Sequence, residues 1–166
     1  MVISFEEPKG FSLIELVVSL LIITILLGIA VPGFSYLVSW YRAESAVVEF
    51  SSGIEKAKYL AVSKGCTVKI SLYMDDDIQA PGFCIYIDND GNNLVSEADE
   101  VIYRHFFKGV KINKLETTID GNSKPLYLHK SGFVKGGTLC IEMPSGKTRK
   151  VVLQTPSGKI RITTEG

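Results

Sequence analysis

The patterned part of the chain begins with a block in which almost every position is apolar. Residues 16–41 carry no charged side chain, and the run Leu-Val-Val-Ser-Leu-Leu-Ile-Ile-Thr-Ile-Leu-Leu-Gly-Ile-Ala-Val leads into Pro32. A hydrocarbon core of ~30 Å takes about 20 apolar residues at 1.5 Å each, so residues 11–38 are predicted to form a membrane-spanning helix. Pro32 and Gly33 loosen it, because proline removes a backbone donor and crowds the preceding turn, a defect that membrane helices tolerate. Apolar residues then return at spacings of three and four: Ala43, Ala46, Val47, Phe50, Ile54, Ala57, Leu60 and Ala61 form one stripe. Arg42, Glu44, Glu49, Ser52 and Lys56 fall mostly on the other side, and Gly65 is a C-terminal stop. The pattern predicts one helix over residues 12–64, about 80 Å long if straight. A break at Pro32-Gly33, giving two helices, is the alternative.

After Gly65 the period changes to two. Cys66, Val68, Ile70 and Leu72 alternate with Thr67, Lys69, Ser71 and Tyr73, the signature of a half-buried strand. Phe83, Ile85 and Ile87 alternate with Cys84 and Tyr86 in a second strand. Further strands are expected at 101–107, 110–115, 126–129, 138–143, 149–155 and 159–163, punctuated by Asp88-Asn89-Asp90-Gly91, Gly121-Asn122-Ser123, Ser145-Gly146 and Ser157-Gly158. Strands joined by short turns without intervening helices make an antiparallel sheet. The fold class is therefore α+β. Residues 11–38 are expected to be a transmembrane helix. Residues 39–166 are a globular domain, with an amphipathic helix at 39–64 and β-structure at 66–166.

Charge adds an asymmetry. The chain has 166 residues and a formal net charge of zero, so bulk electrostatics select no partner. Yet residues 75–100 hold eight acids and no Lys or Arg, whereas residues 101–166 hold twelve bases and four acids. Such a distribution suits contacts between unlike faces of neighbouring subunits, and equally suits solvated loops and sheet edges.

One acid breaks the apolar block. Glu15 lies about one turn inside it, where a carboxylate in hydrocarbon costs several kcal/mol unless neutralised or paired. It reads as an interfacial acid on an anchor helix, or as a functional group. The stretch Lys9-Gly10-Phe11-Ser12-Leu13-Ile14-Glu15, followed by the apolar run, closely resembles the class III signal of type IV prepilins and type II secretion pseudopilins. The resemblance implies a leader over residues 1–10, peptidase cleavage between Gly10 and Phe11, and N-methylation of Phe11. It also gives Glu15 and Pro32 roles in assembly. A secretory signal peptide fits less well: residues 1–10 hold Glu6 and Glu7 against a lone Lys9, and no small-x-small cleavage site is convincing.

The order of long helix, strand hairpin, Asp/Asn-Gly turn, acids before Val101-Ile102 and a closing Ser157-Gly158-Lys159-Ile160-Arg161 strand is similar to the GspH/FimT group of minor pilins. That resemblance extends over essentially the whole chain. It implies a pilin-like fold, with a β-domain packed on the second half of the helix. It also implies a non-enzymatic subunit that primes or caps a pseudopilus or pilus. Its partners would be other pilin subunits, the prepilin peptidase and membrane lipid, with no small-molecule substrate. Its place would be the inner membrane, single-pass, with the globular domain on the extracytoplasmic side.

Other motifs were weighed against plainer readings. Asp88, Asp90, Gly91 and Glu97 partly match a calcium loop, but Tyr86 then occupies the first ligand position, and the context is strand and turn. No metal or cofactor is expected. Cys66 shares the phase of core residues, whereas Cys84 and Cys140 lie on the opposite faces of their strands. In an oxidising compartment Cys84 and Cys140 are the pair; three free thiols are the other reading. His105 and His129 have no nucleophile at a suggestive offset, and no Gly-x-Ser-x-Gly elbow or phosphate loop occurs. The C-terminal bases Lys147, Arg149, Lys150, Lys159 and Arg161 form a solvated strand face, the favoured reading, or a set of phosphate contacts. Lys159 and Arg161 resemble the basic motif of FimT-type pilins linked to DNA uptake, with lysine in place of the first arginine. The lysine keeps charge but loses the planar fork. The rival readings are thus a DNA-binding pilin and an anchored domain that never polymerises.

Overall fold

The computed structural model describes residues 10–75, 80–91, 95–119 and 125–165. The proposed leader before Gly10, the acidic residues Asp76 and Asp77, and the turn at Gly121-Asn122-Ser123 lie outside the described residues. A single helix, α1 (Leu13–Lys64), continues through Pro32. The chain divides into two compact units, one ending at Leu37 and one beginning at Val38.

In the first unit α1 has no buried residue, and the helix is long and apolar enough to cross a membrane. Three of its hydroxyls bond within the helix. Ser19 donates to the Glu15 carbonyl at 2.7 Å, Thr24 to Leu20 at 2.7 Å and Ser35 to Val31 at 3.2 Å. The helix begins one residue later than expected because Ser12 is its N-cap. The Glu15 N–H reaches the Ser12 Oγ at 3.2 Å and the Ser12 carbonyl at 3.1 Å.

In the second unit the predicted stripe is the buried face: Ala43, Ala46, Val47, Phe50, Gly53, Ile54, Ala57 and Ala61. Small residues let the helix approach the sheet closely. A Cβ on Gly53 would stand 2.5 Å from the Phe83 ring, which meets Phe50 edge-on with centroids 5.3 Å apart. Each large aliphatic or aromatic side chain so buried contributes roughly 1.5–3 kcal/mol.

The strands are antiparallel, as the pattern predicts, and divide into two sheets. The first has the order β3-β2-β1-β5-β6, from β1 (Val68–Asp75), β2 (Ala80–Ile87), β3 (Glu100–Phe106), β5 (Leu126–Leu128) and β6 (Val134–Lys135). The second has the order β4-β7-β8-β9, from β4 (Lys111–Ile112), β7 (Gly137–Glu142), β8 (Thr148–Leu153) and β9 (Ile160–Glu165). Gly109, at φ 67°, makes the corner by which the chain leaves β3 for the second sheet. Period-two patterning reports which face of a strand is apolar, and is silent on which sheet the strand joins. The core gathers the helix stripe with Val68, Ile70, Phe83, Ile85, Leu126, Leu139, Ile141 and Val151.

β1 is not half-buried. It lies between β2 and β5, and its second face is also covered: Ser71 and Lys69 are buried there. Lys69 is ion-paired with the buried Asp88 carboxylate and sits over the Tyr127 ring at 4.9 Å. Leaving either charge without the other would cost several kcal/mol.

Candidate functional site

The first site is the head of α1. Gly10 and Phe11 precede the cap in extended, exposed chain, and Phe11 is 82% exposed. Glu15 occupies the third helical position after Ser12. Ser12-Leu13-Ile14-Glu15 is thus the Ser-x-x-Glu pattern of a capping box, which the sequence reading overlooked although the spacing was visible. An acid in the first turn also faces the positive end of the helix dipole. Glu15 therefore has a local stabilising role beside any intermolecular one. Pro32 sits within α1, flanked by exposed Val31 and Phe34. Every large hydrophobic residue from Leu13 to Leu37 is about half exposed or more. The helix presents apolar surface in all directions, the form of a segment whose solvent is lipid or other helices.

The second candidate is the basic C-terminal region, which the structure breaks apart. Arg149 forks onto the Glu44 carboxylate at 2.9 and 3.0 Å and reaches Thr164 at 2.9 Å. Lys150 is held by Glu165 and, at 3.1 Å, by Glu116; these carboxylates push its pKa up to about 12. Lys159 and Arg161 are exposed and have no ion-pair partner among the described residues. Five candidate phosphate contacts thus include two cations already committed to carboxylates.

The cysteines do not form the expected pair. Cys84 lies in β2 of the first sheet and Cys140 in β7 of the second; both are free and buried, while Cys66 is only partly covered. The phase placed Cys84 correctly away from the core face. That face is covered nonetheless, because small Ser71 and Cys84 sit among taller Tyr73, Tyr86 and Arg104 in the sheet register. Burial pushes the Cys84 thiol up to about 11 and raises that of Cys140. Residues 113–118 fold over Cys140: Asn113 N–H donates to its carbonyl at 2.9 Å, and its own N–H donates to Thr117 Oγ1 at 3.1 Å. Protonated, covered thiols are poor nucleophiles.

The acidic turn gathers Asp88, Asp90 and Asp99, with ligand-capable oxygens within 4.8 Å of one another; the exposed Glu97 is replaced there by Asp99. These oxygens hold the turn. Asp99 accepts from the N–H groups of Ser96 at 2.8 Å and Asn89 at 2.9 Å, which keep its carboxyl below the usual range. Asp88 accepts from Gly91 N–H at 2.7 Å as well as from Lys69. His105 meets Glu49 of α1 and stacks on Tyr103, so it is part of the helix–sheet seam. His129 bonds Ser131 at 2.8 Å.

Residues 8–31 match the family of the prokaryotic N-terminal methylation motif. Over 159 residues the chain is 24% identical to the pilin-like protein PilA1 of Thermus thermophilus, covering 93% of this chain and 97% of that one. Its fold is similar to that of the type IV minor pilin FimU of Pseudomonas aeruginosa, with a TM-score of 0.50 at 17% identity, over 72% of this chain and 91% of that one. The minor pseudopilin EpsH of the Vibrio cholerae type 2 secretion system aligns with a TM-score of 0.48 at 15% identity, over 74% and 96%. A methylation motif thus heads an exposed apolar helix, and that helix runs into an antiparallel β-domain whose fold is similar to that of a type IV minor pilin.

Proposed function

We propose that this protein is a minor subunit of a type II secretion pseudopilus or a type IV pilus that primes or caps filament assembly. It is held in the inner membrane by residues 11–38, with the globular domain on the extracytoplasmic side. A prepilin peptidase cuts between Gly10 and Phe11, and Phe11 is methylated. The observation that carries this reading is the pairing of that motif with a helix whose apolar side chains find no cover within the chain up to Leu37. Lipid and neighbouring helices are similarly apolar, so passage from one to the other conserves hydrophobic burial. Glu15 then meets a neighbour's cationic N-terminal amine inside the low-dielectric bundle.

Two measurements test this. Intact mass of the membrane-extracted protein should show loss of ten residues and gain of one methyl group, as the Gly10–Phe11 junction implies. Survival of Met1 in cells with an active prepilin peptidase would instead support an anchored domain that never polymerises. Glu15→Gln separates the two roles of Glu15, because glutamine also closes a capping box. It should leave insertion intact yet reduce recovery of the subunit with sheared filaments; unchanged recovery would remove the charge from the mechanism.

A further inference from the structure

The four edges of the two sheets are treated differently. β4 is two residues long, and residues 113–118 seal the rest of that edge by bonding to β7. Thr118 N–H donates to the Thr138 carbonyl at 3.0 Å, and Thr138 N–H donates to Thr118 Oγ1 at 2.7 Å. β6 is also two residues long. β3 carries a register shift opposite Ile85 and Tyr86, and its side chains are tied to α1 through Lys64–Glu100, Lys56–Tyr103 and Glu49–His105. Short length, bulges and side-chain cover are among the devices that stop an edge from pairing, as are charged side chains, which β9 has in Arg161 and Glu165. β9 has none of the first three. It is six residues long, pairs in unbroken register with β8, and no other described segment bonds to its far side.

Both faces of this edge are unfinished. Ile162 lies opposite the fully buried Val151, on the core side of the sheet, yet is 45% exposed, since among the described residues no strand pairs beyond it. Arg161 lies opposite Val152 on the outer face, in phase with Lys159, and neither cation has an ion-pair partner among the described residues. An edge strand offers N–H donors and carbonyl acceptors in alternation. A phosphate backbone only accepts; another polypeptide strand answers both.

We infer that the free edge of β9 takes up an extended segment of another protein as a fifth strand, with acidic residues beside Lys159 and Arg161 and an apolar residue over Ile162. Main-chain hydrogen bonds supply the affinity. The alternation of acid and hydrophobe, matched to the two faces, supplies the register.

The test uses the full-length protein in detergent micelles and a short synthetic peptide alternating Glu and Val. Backbone hydrogen exchange should show amides of residues 160–165 slowed on adding the peptide, with the rest of the β-domain unchanged. A version N-methylated at alternate residues, which cannot complete the ladder, should give no such slowing. Arg161→Glu should weaken the parent peptide on the order of tenfold. The inference fails if residues 160–165 are not slowed, if the N-methylated peptide slows them equally, or if Arg161→Glu binds as well as the parent. It also fails if duplex DNA slows the same amides and the peptide cannot compete, which would make the edge a nucleic-acid surface.

Discussion

One helix serves two environments, and the change is visible along its own length. Up to Leu37 the residues of α1 are exposed on every side and apolar on every side. From Val38 on, the same element is amphipathic, burying Phe50, Ile54 and a row of alanines while Glu44 and Glu49 reach across to Arg149 and His105. Helix propensity does not distinguish the halves. What differs is the angular distribution of apolar side chains, and that decides what each half needs from its surroundings.

The comparison can be broken most directly by deleting one large side chain in each half. Phe50→Ala, in the full chain in detergent, should cost about 3–5 kcal/mol in unfolding of the β-domain. Leu21→Ala should cost under about 0.5 kcal/mol in the same assay, since Leu21 packs on nothing in its own unit. Similar losses would mean that the halves are not energetically separate. A finer probe is Gly53→Ala. Alanine favours the helix by roughly 1 kcal/mol, but its Cβ would intrude on Phe83, and overpacking costs about 1–3 kcal/mol. A net loss of about 1 kcal/mol in denaturant unfolding is expected, and a gain would show the helix–sheet contact to be looser than drawn.

The first half of the chain was far more legible than the second. Period and spacing located the buried stripe from Ala43 to Ala61, because a helix face depends only on local geometry. The motif at Gly10 to Glu15 is contiguous and could be read directly. Sheet membership, the cover over Cys84 and the pairing of Arg149 with Glu44 depend on contacts between distant residues, which alternation does not encode. β6 was missed outright, since two residues make no period. The basic cluster shows the same limit: the sequence leaves open a solvated strand face or phosphate contacts, and carboxylates from α1, residue 116 and β9 hold two of its five cations.

Smaller effects sharpen the contrast within the globular unit. Because burial raises Cys84 from 9.0 to about 11, the folded state holds a proton that the unfolded state releases above pH 9. That contribution is complete below pH 9 and declines as pH rises toward about 11. Cys84→Ala should flatten this alkaline decline in thermal melts. Thiol labelling near neutral pH should modify Cys66 first, reaching Cys84 and Cys140 only on unfolding; protection of the latter pair in the denatured, unreduced protein would reveal a disulfide. Smallest is the response to DNA. With three cations that have no ion-pair partner among the described residues, Lys147, Lys159 and Arg161, a gel-shift titration should give weak binding with a log–log salt slope of roughly −2.7. A slope nearer −4.5 would mean that the carboxylate pairs yield to phosphate.

The hydroxyls of Ser19, Thr24 and Ser35 carry a consequence for handling a membrane segment. Each spends its donor on a carbonyl of its own helix, four residues back. A transmembrane helix whose polar groups clasp a neighbour must break those bonds to change neighbours. A helix with its hydroxyls so engaged could change neighbours without breaking those bonds, leaving Glu15 as the one charge in the apolar half that each new setting has to accommodate.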